Sequence, residues 1–156
     1  MSLSRHYDVF GLLLSFRVLP EEVEGKFALM EAVVPPGLGA PPNCHAGETE
    51  TFRVLEGEFM FMIDGRPVPA KAGDTLVVPD GAPHAFRCMG DVPGRLLILN
   101  APGRMHVDFF RGVGRPMADD SALPAAPAGP PDMAKILQVA QATGMTLLLP
   151  EQEGAR

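Results

Sequence analysis

Between Val9 and Asn100 the chain runs as short apolar stretches broken by glycine- and proline-bearing corners. That punctuation confines it to short strands and tight turns. Val9–Val18 reads as a mostly apolar strand, followed by a polar turn at Pro20–Gly25. Phe27–Val34 comes next; Phe27, Leu29, Glu31 and Val33 share one face, and Ala28, Met30, Ala32 and Val34 the other. Pro35-Pro36-Gly37 and Pro41-Pro42 cannot pair as interior strand, since proline lacks the amide proton. Glu50–Glu56, Glu58–Ile63, Pro67–Ala72, Thr75–Val78, His84–Cys88 and Arg95–Asn100 continue the series, with Asp64-Gly65 the strongest hairpin corner. Many short strands of this kind indicate a closed or double-sheet β fold.

Two stretches of the series carry chemistry. In GAPPNCHAGETETFRVLEG, residues 39–57, Asn43 and His45 point the same way along a strand. Glu50 opens the next extended run beyond a corner at Ala46-Gly47. Imidazole nitrogen and carboxylate oxygen are common ligands of a divalent transition metal. Alone, such a pair reads equally as two polar residues at a loop. In GDTLVVPDGAPHAFRC, residues 73–88, His84 opens a strand after the Pro79-Asp80-Gly81 turn.

Together the two stretches resemble the paired signature of the cupin superfamily, in particular its single-domain quercetin-dioxygenase-like members. Gly39, His45, Glu50 and Gly57 fit the first motif; Gly73, Pro79, Gly81 and His84 fit the second. Asn43 stands where the first motif has another histidine, and Cys88 where the second ends in asparagine. The resemblance runs from roughly Gly11 to Phe110. It implies an all-β, double-stranded β-helix (a jelly-roll barrel) over residues 1–112, with the site inside its mouth.

The same resemblance implies one metal on His45, Glu50 and His84, with Asn43 a weak ligand or a hydrogen-bond partner of coordinated water. Two histidines and a carboxylate match the facial triad of non-haem iron oxygenases. Iron, manganese, nickel and zinc all remain open, as does an empty pocket lined by the two imidazoles. The implied activity is oxidation of a small organic molecule, with Glu50 as both ligand and general base. A binding module without turnover and a metal-assisted isomerase or lyase are the alternatives. Phe52, Phe61 and Phe86 either wall the substrate pocket or are core aromatics. His106, near Asp108-Phe109-Phe110, reads as a capping or solvent-facing histidine, and His6 has no assigned role.

Composition bounds the partners. At 156 residues the chain has the length of one domain. Thirteen Lys and Arg against nineteen Asp and Glu give a net charge of −6 without a basic cluster, which argues against nucleic acid and anionic membrane surfaces. No apolar run approaches a membrane span and the N-terminus lacks the pattern of a secretion signal, so the expected compartment is the cytoplasm. Cys44 and Cys88 should face opposite sides and stay as free thiols, Cys88 as a small core residue. On Glu58–Ile63, Met60 and Met62 face away from Phe59 and Phe61, so both faces look buried. Either the C-terminal segment covers the methionines or a second subunit does, and a homodimer is expected.

Residues 113–156 read as an extension rather than a second domain. Residues 114–131 are rich in proline and alanine and read as an extended linker. Asp132 caps a helix bearing Met133, Ile136, Leu137 and Ala140 at helical spacing, and Gly144 closes it. Met145–Leu149 reads as a last short strand, and Glu151–Arg156 as a frayed end.

Overall fold

The computed structural model describes residues 3–149. The strands are β1 (His6–Val9), β2 (Leu12–Val18), β3 (Ala28–Val34), β4 (Gly39–Cys44), β5 (Thr49–Glu56), β6 (Glu58–Ile63), β7 (Arg66–Lys71), β8 (Thr75–Val78), β9 (His84–Cys88) and β10 (Gly94–Ala101). Helix α1 (Arg104–Val113), β11 (Arg115–Met117), helix α2 (Met133–Thr143) and β12 (Thr146–Leu147) follow. A seven-stranded sheet has the order β11-β1-β2-β3-β10-β5-β8, and a five-stranded sheet the order β12-β4-β9-β6-β7. All pairings are antiparallel, and the two sheets form the jelly roll.

The core follows from period-2 alternation. Ala28, Met30, Ala32 and Val34 of β3 are buried together with Phe52 and Val54 of β5 and Leu96 and Ile98 of β10. From the other sheet come Phe59, Phe61, Phe86 and Cys88. The rings of Phe52, Phe61 and Phe86 lie 5.0 to 5.6 Å apart, and Phe59 joins them at 6.1 Å, so each ring packs on other rings. Burying each such ring contributes of order 2–3 kcal/mol. Gly39 is required where β4 crosses β9, because a Cβ there would run into the carbonyl of Phe86.

Four local expectations are corrected. Val9–Val18 is two strands, because Phe10 (φ 53°) and Gly11 (φ 91°) both take the left-handed conformation of a two-residue hairpin turn. Pro41-Pro42 lies within β4, tolerated because the register against β9 breaks between Ala40 and Asn43. Residues 115–117, expected to be linker, form β11 and pair with β1. The stretch after Asn100 is not the barrel's tail but α1, which starts from the Pro102-Gly103 corner and buries His106, Val107 and Phe109.

Helix α2 runs from the Asp132 cap, whose carboxylate accepts from the Lys135 amide, to Gly144 in the left-handed conformation. Ile136 and Ala140 pack with Phe109 and Met145, so α2 is fastened to α1. β12 pairs with β4 and not with β6, so this strand does not lie over the methionines of β6. Met60 is half-buried and Met62 is 40% exposed on the outer face. Cys44 and Cys88 are both free thiols. No helix among the described residues is long and apolar enough to cross a membrane. Glu151–Arg156 lies outside the described residues.

Candidate metal centre

Four side chains from four separate segments meet at one end of the jelly roll. His45 sits just past β4, Glu50 is the second residue of β5, His84 the first of β9, and His106 the third of α1. Glu50 Oε2 lies 3.1 Å from His45 Nε2, 2.9 Å from His84 Nε2 and 3.8 Å from His106 Nε2. The Nε2 atoms of His45 and His84 are 3.3 Å apart. All four residues are at least 95% buried.

The far side of each ring is held as firmly. His45 Nδ1 donates to the Glu48 carbonyl and His84 Nδ1 to the Ala82 carbonyl, each at 2.9 Å. His106 Nδ1 donates to the Glu48 carboxylate at 2.8 Å. With Nδ1 engaged on its outer side, each ring directs Nε2 inward, where a neutral imidazole would offer its lone pair to a metal. Glu48 therefore orients two imidazoles, His45 through its main chain and His106 through its side chain. Its other carboxylate oxygen accepts from the Met105 amide at 2.7 Å, which anchors the first turn of α1.

Such a donor set fits a divalent transition metal. Bonds of about 2.0–2.2 Å to nitrogen and oxygen place neighbouring donor atoms about 3 Å apart; the His45, Glu50 and His84 atoms stand 2.9 to 3.3 Å apart, and His106 Nε2 lies 3.8 Å from Glu50. The ligand atoms of His45, Glu50 and His106 all lie within 4.8 Å of one another. With neutral imidazoles, the carboxylates of Glu48 and Glu50 would balance a dication, so the buried site would carry no net charge.

Without a cation the carboxylates and the imidazoles act on one another. Burial pushes the Glu50 carboxyl up, but the neighbouring His106 ring and the hydrogen bonds with His45 and His84 outweigh it and hold the group far below the usual carboxylate range. Burial lowers His45, yet the Glu50 carboxylate more than compensates and its pKa is raised. Glu48 is likewise pushed up by burial and brought below its ordinary value by His106. Glu50 is thus held toward its anionic form, which suits a metal ligand.

The structure brings His45, Glu50 and His84 together and corrects the expectation for His106. That side chain is 2% exposed, neither a cap nor solvent-facing. Asn43 pairs with His84 across the β4–β9 ladder and shares its face, but its amide nitrogen donates to the carbonyls of Pro41 (2.9 Å) and His84 (3.4 Å). Phe52, Phe61 and Phe86 occupy the aromatic core described above. His6 bonds Ser15 Oγ at 2.9 Å. Sequence reasoning missed His106 and Glu48. A usable signal was the shortfall itself: Asn43 leaves the motif one imidazole short, and the chain has only four histidines from which to replace it.

Residues 30–100 match the family described as Cupin domain. The barrel is a cupin. Over 96 residues this cupin is 30% identical to quercetin 2,3-dioxygenase of Bacillus subtilis, covering 62% of this chain and 28% of that one. Over 65 residues it is 37% identical to an oxalate-binding protein of Thermotoga maritima, covering 42% of this chain and 52% of the relative. The matched stretch thus spans about a quarter to a half of these two relatives. The crystal structure of a predicted oxalate decarboxylase from Thermotoga maritima superposes with a TM-score of 0.56 at 26% identity, over 58% of this chain and 79% of that one.

Proposed function

We propose that this cupin holds one divalent transition metal (iron, manganese, nickel or zinc) on His45, Glu50, His84 and His106, and acts as a dioxygenase-like enzyme on a small organic molecule. The observation that carries this is the convergence of imidazole Nε2 atoms on Glu50 Oε2, with every Nδ1 fixed by an oxygen on its outer side. Identity to quercetin 2,3-dioxygenase supports the oxidative chemistry. In this assignment His106 takes the place in the donor set that Asn43 leaves.

A metal bound there would supply Lewis acidity and a position for substrate oxygen. His45 and His84 hold it from the barrel and His106 from the helix. Glu50 contributes the anionic ligand, while Glu48 keeps His106 in the correct tautomer. Helix α1 would shield the site from water on its side, since its own Val107 and Phe109 are buried. As a ligand Glu50 would be occupied by the metal, and it would act as a base only after leaving it.

A binding protein without turnover is the second reading, favoured by the near-complete burial of all four residues and by the oxalate-binding relative. Two free thiols suit a reducing compartment such as the cytoplasm. The apolar outer face bearing Met60, Met62 and Met89 suits a homodimer contact.

Anaerobic purification with metal analysis, then oxygen uptake with flavonol and diketone compounds, tests the proposal. The enzyme reading requires about one transition metal per chain and substrate-dependent oxygen consumption. Metal without turnover selects the binding protein, and absence of metal ends both metal-dependent readings.

A further inference from the structure

Asn100 is completely buried, and neither its Nδ2 nor its Oδ1 has a hydrogen-bond partner among the described residues. A buried amide in that state is costly, because each unpaired group keeps its full desolvation penalty. The site lies on β10, whose inward face carries Leu96, Ile98 and Asn100. In the β5–β10 ladder Asn100 stands directly opposite Glu50, and in the β3–β10 ladder opposite Ala28. Directly opposed residues of an antiparallel pair project to the same face with Cβ atoms about 5 Å apart. The amide therefore lies beside the one carboxylate on which the imidazoles converge.

We propose that Asn100 is a ligand-positioning residue: its amide hydrogen-bonds the non-protein oxygen ligand that shares the centre with Glu50. The proposal rests on the metal-binding function given above. An amide offers a donor and an acceptor in one plane. With both unpartnered, it matches an oxygen that can accept from Nδ2 and donate to Oδ1, as water does in the resting site and a hydroxyl-bearing ligand does in a complex. Leucine has nearly the shape of asparagine and none of its polarity. It fits the apolar row of Leu96 and Ile98 and serves as the probe.

The test compares wild type with Asn100→Leu in two measurements whose expected signs are opposite. Thermal unfolding of the metal-free proteins should show the variant at least as stable as wild type, because two unpaired polar atoms are gone. Cobalt(II) titration followed by visible absorption should show affinity weakened about tenfold, the usual scale for losing a hydrogen bond that supports a metal centre. A variant that melts well below wild type overturns the proposal, since the amide then has a structural partner in the protein. Unchanged cobalt affinity overturns it as well. A crystal structure of the cobalt-loaded wild type is the second measurement, independent of the variant. It must show a non-protein oxygen within about 3.2 Å of the Asn100 amide, and an amide turned onto backbone carbonyls is the contrary result. Wild-type protein that takes up no cobalt overturns the metal function and this assignment together. Cobalt uptake indifferent to residue 100 overturns the assignment alone.

Discussion

His106 and Glu48 act as a unit. The carboxylate holds Nδ1 of the ring and the first turn of the helix that carries it, so the imidazole arrives already aimed at Glu50. Replacing His106 by alanine should lower metal affinity at least about tenfold, measured by competition with a chromogenic chelator. If the imidazole has moved from strand to helix, then Asn43→His in that background should recover part of the loss, because position 43 shares a face with His84. Glu48→Gln keeps the acceptor for the Met105 amide and removes the charge facing His106. It should weaken metal binding about 10- to 100-fold and destabilise the metal-free protein by about 1–3 kcal/mol in urea unfolding. Affinity equal to wild type in the Gln variant would mean that His106 is oriented by packing alone.

Strands β2, β3 and β10 are tied on their outer face by one charge cluster. Glu31 accepts from Arg17 and Arg95, and Arg17 also reaches Asp120 in the segment between β11 and α2. Burial pushes the Glu31 carboxyl up, but the two guanidinium groups outweigh it and its folded pKa lies below the unfolded value. Its contribution is therefore fully present above the unfolded carboxyl pKa of about 4.3, and is lost as pH falls through the folded value. Both arginines are more than a third exposed, so the cluster is worth only about 1 kcal/mol. Glu31→Gln should cost that much at neutral pH and almost nothing in strong acid, with denaturant unfolding at the two pH values as the measurement. The alternation of Ala28, Met30, Ala32 and Val34 was readable in the sequence because a strand buried on one face writes a period of two. Helix α1 was not readable, because its buried side includes a histidine whose value depends on Glu48, 58 residues away. The β1–β2 turn was hidden for a related reason: Phe10 looks like strand, and only its left-handed backbone shows the corner.

At the scale of the molecule, two sheets and a helical clasp converge on one centre. His45 and Glu50 bracket the corner from the five-stranded to the seven-stranded sheet, His84 comes from the five-stranded sheet, and His106 from the clasp. Motif spacing marked the first three because the barrel fixes their register. It could not mark the fourth, which depends on how the chain returns after β10. Because a metal must displace protons from the inward imidazole nitrogens, affinity should fall as pH drops through the raised pKa of His45, and chelator competition at stepped pH measures this. If the outer methionine face is the proposed homodimer contact, Met62→Glu should shift the protein toward monomer in sedimentation equilibrium without changing metal content. The most direct test of the centre is a crystal structure of anaerobically purified protein with anomalous data at the absorption edge of the metal. One anomalous peak bonded to His45, Glu50, His84 and His106 is the predicted result. A peak bonded through Asn43 with His106 turned away, or no peak among these side chains, would contradict it.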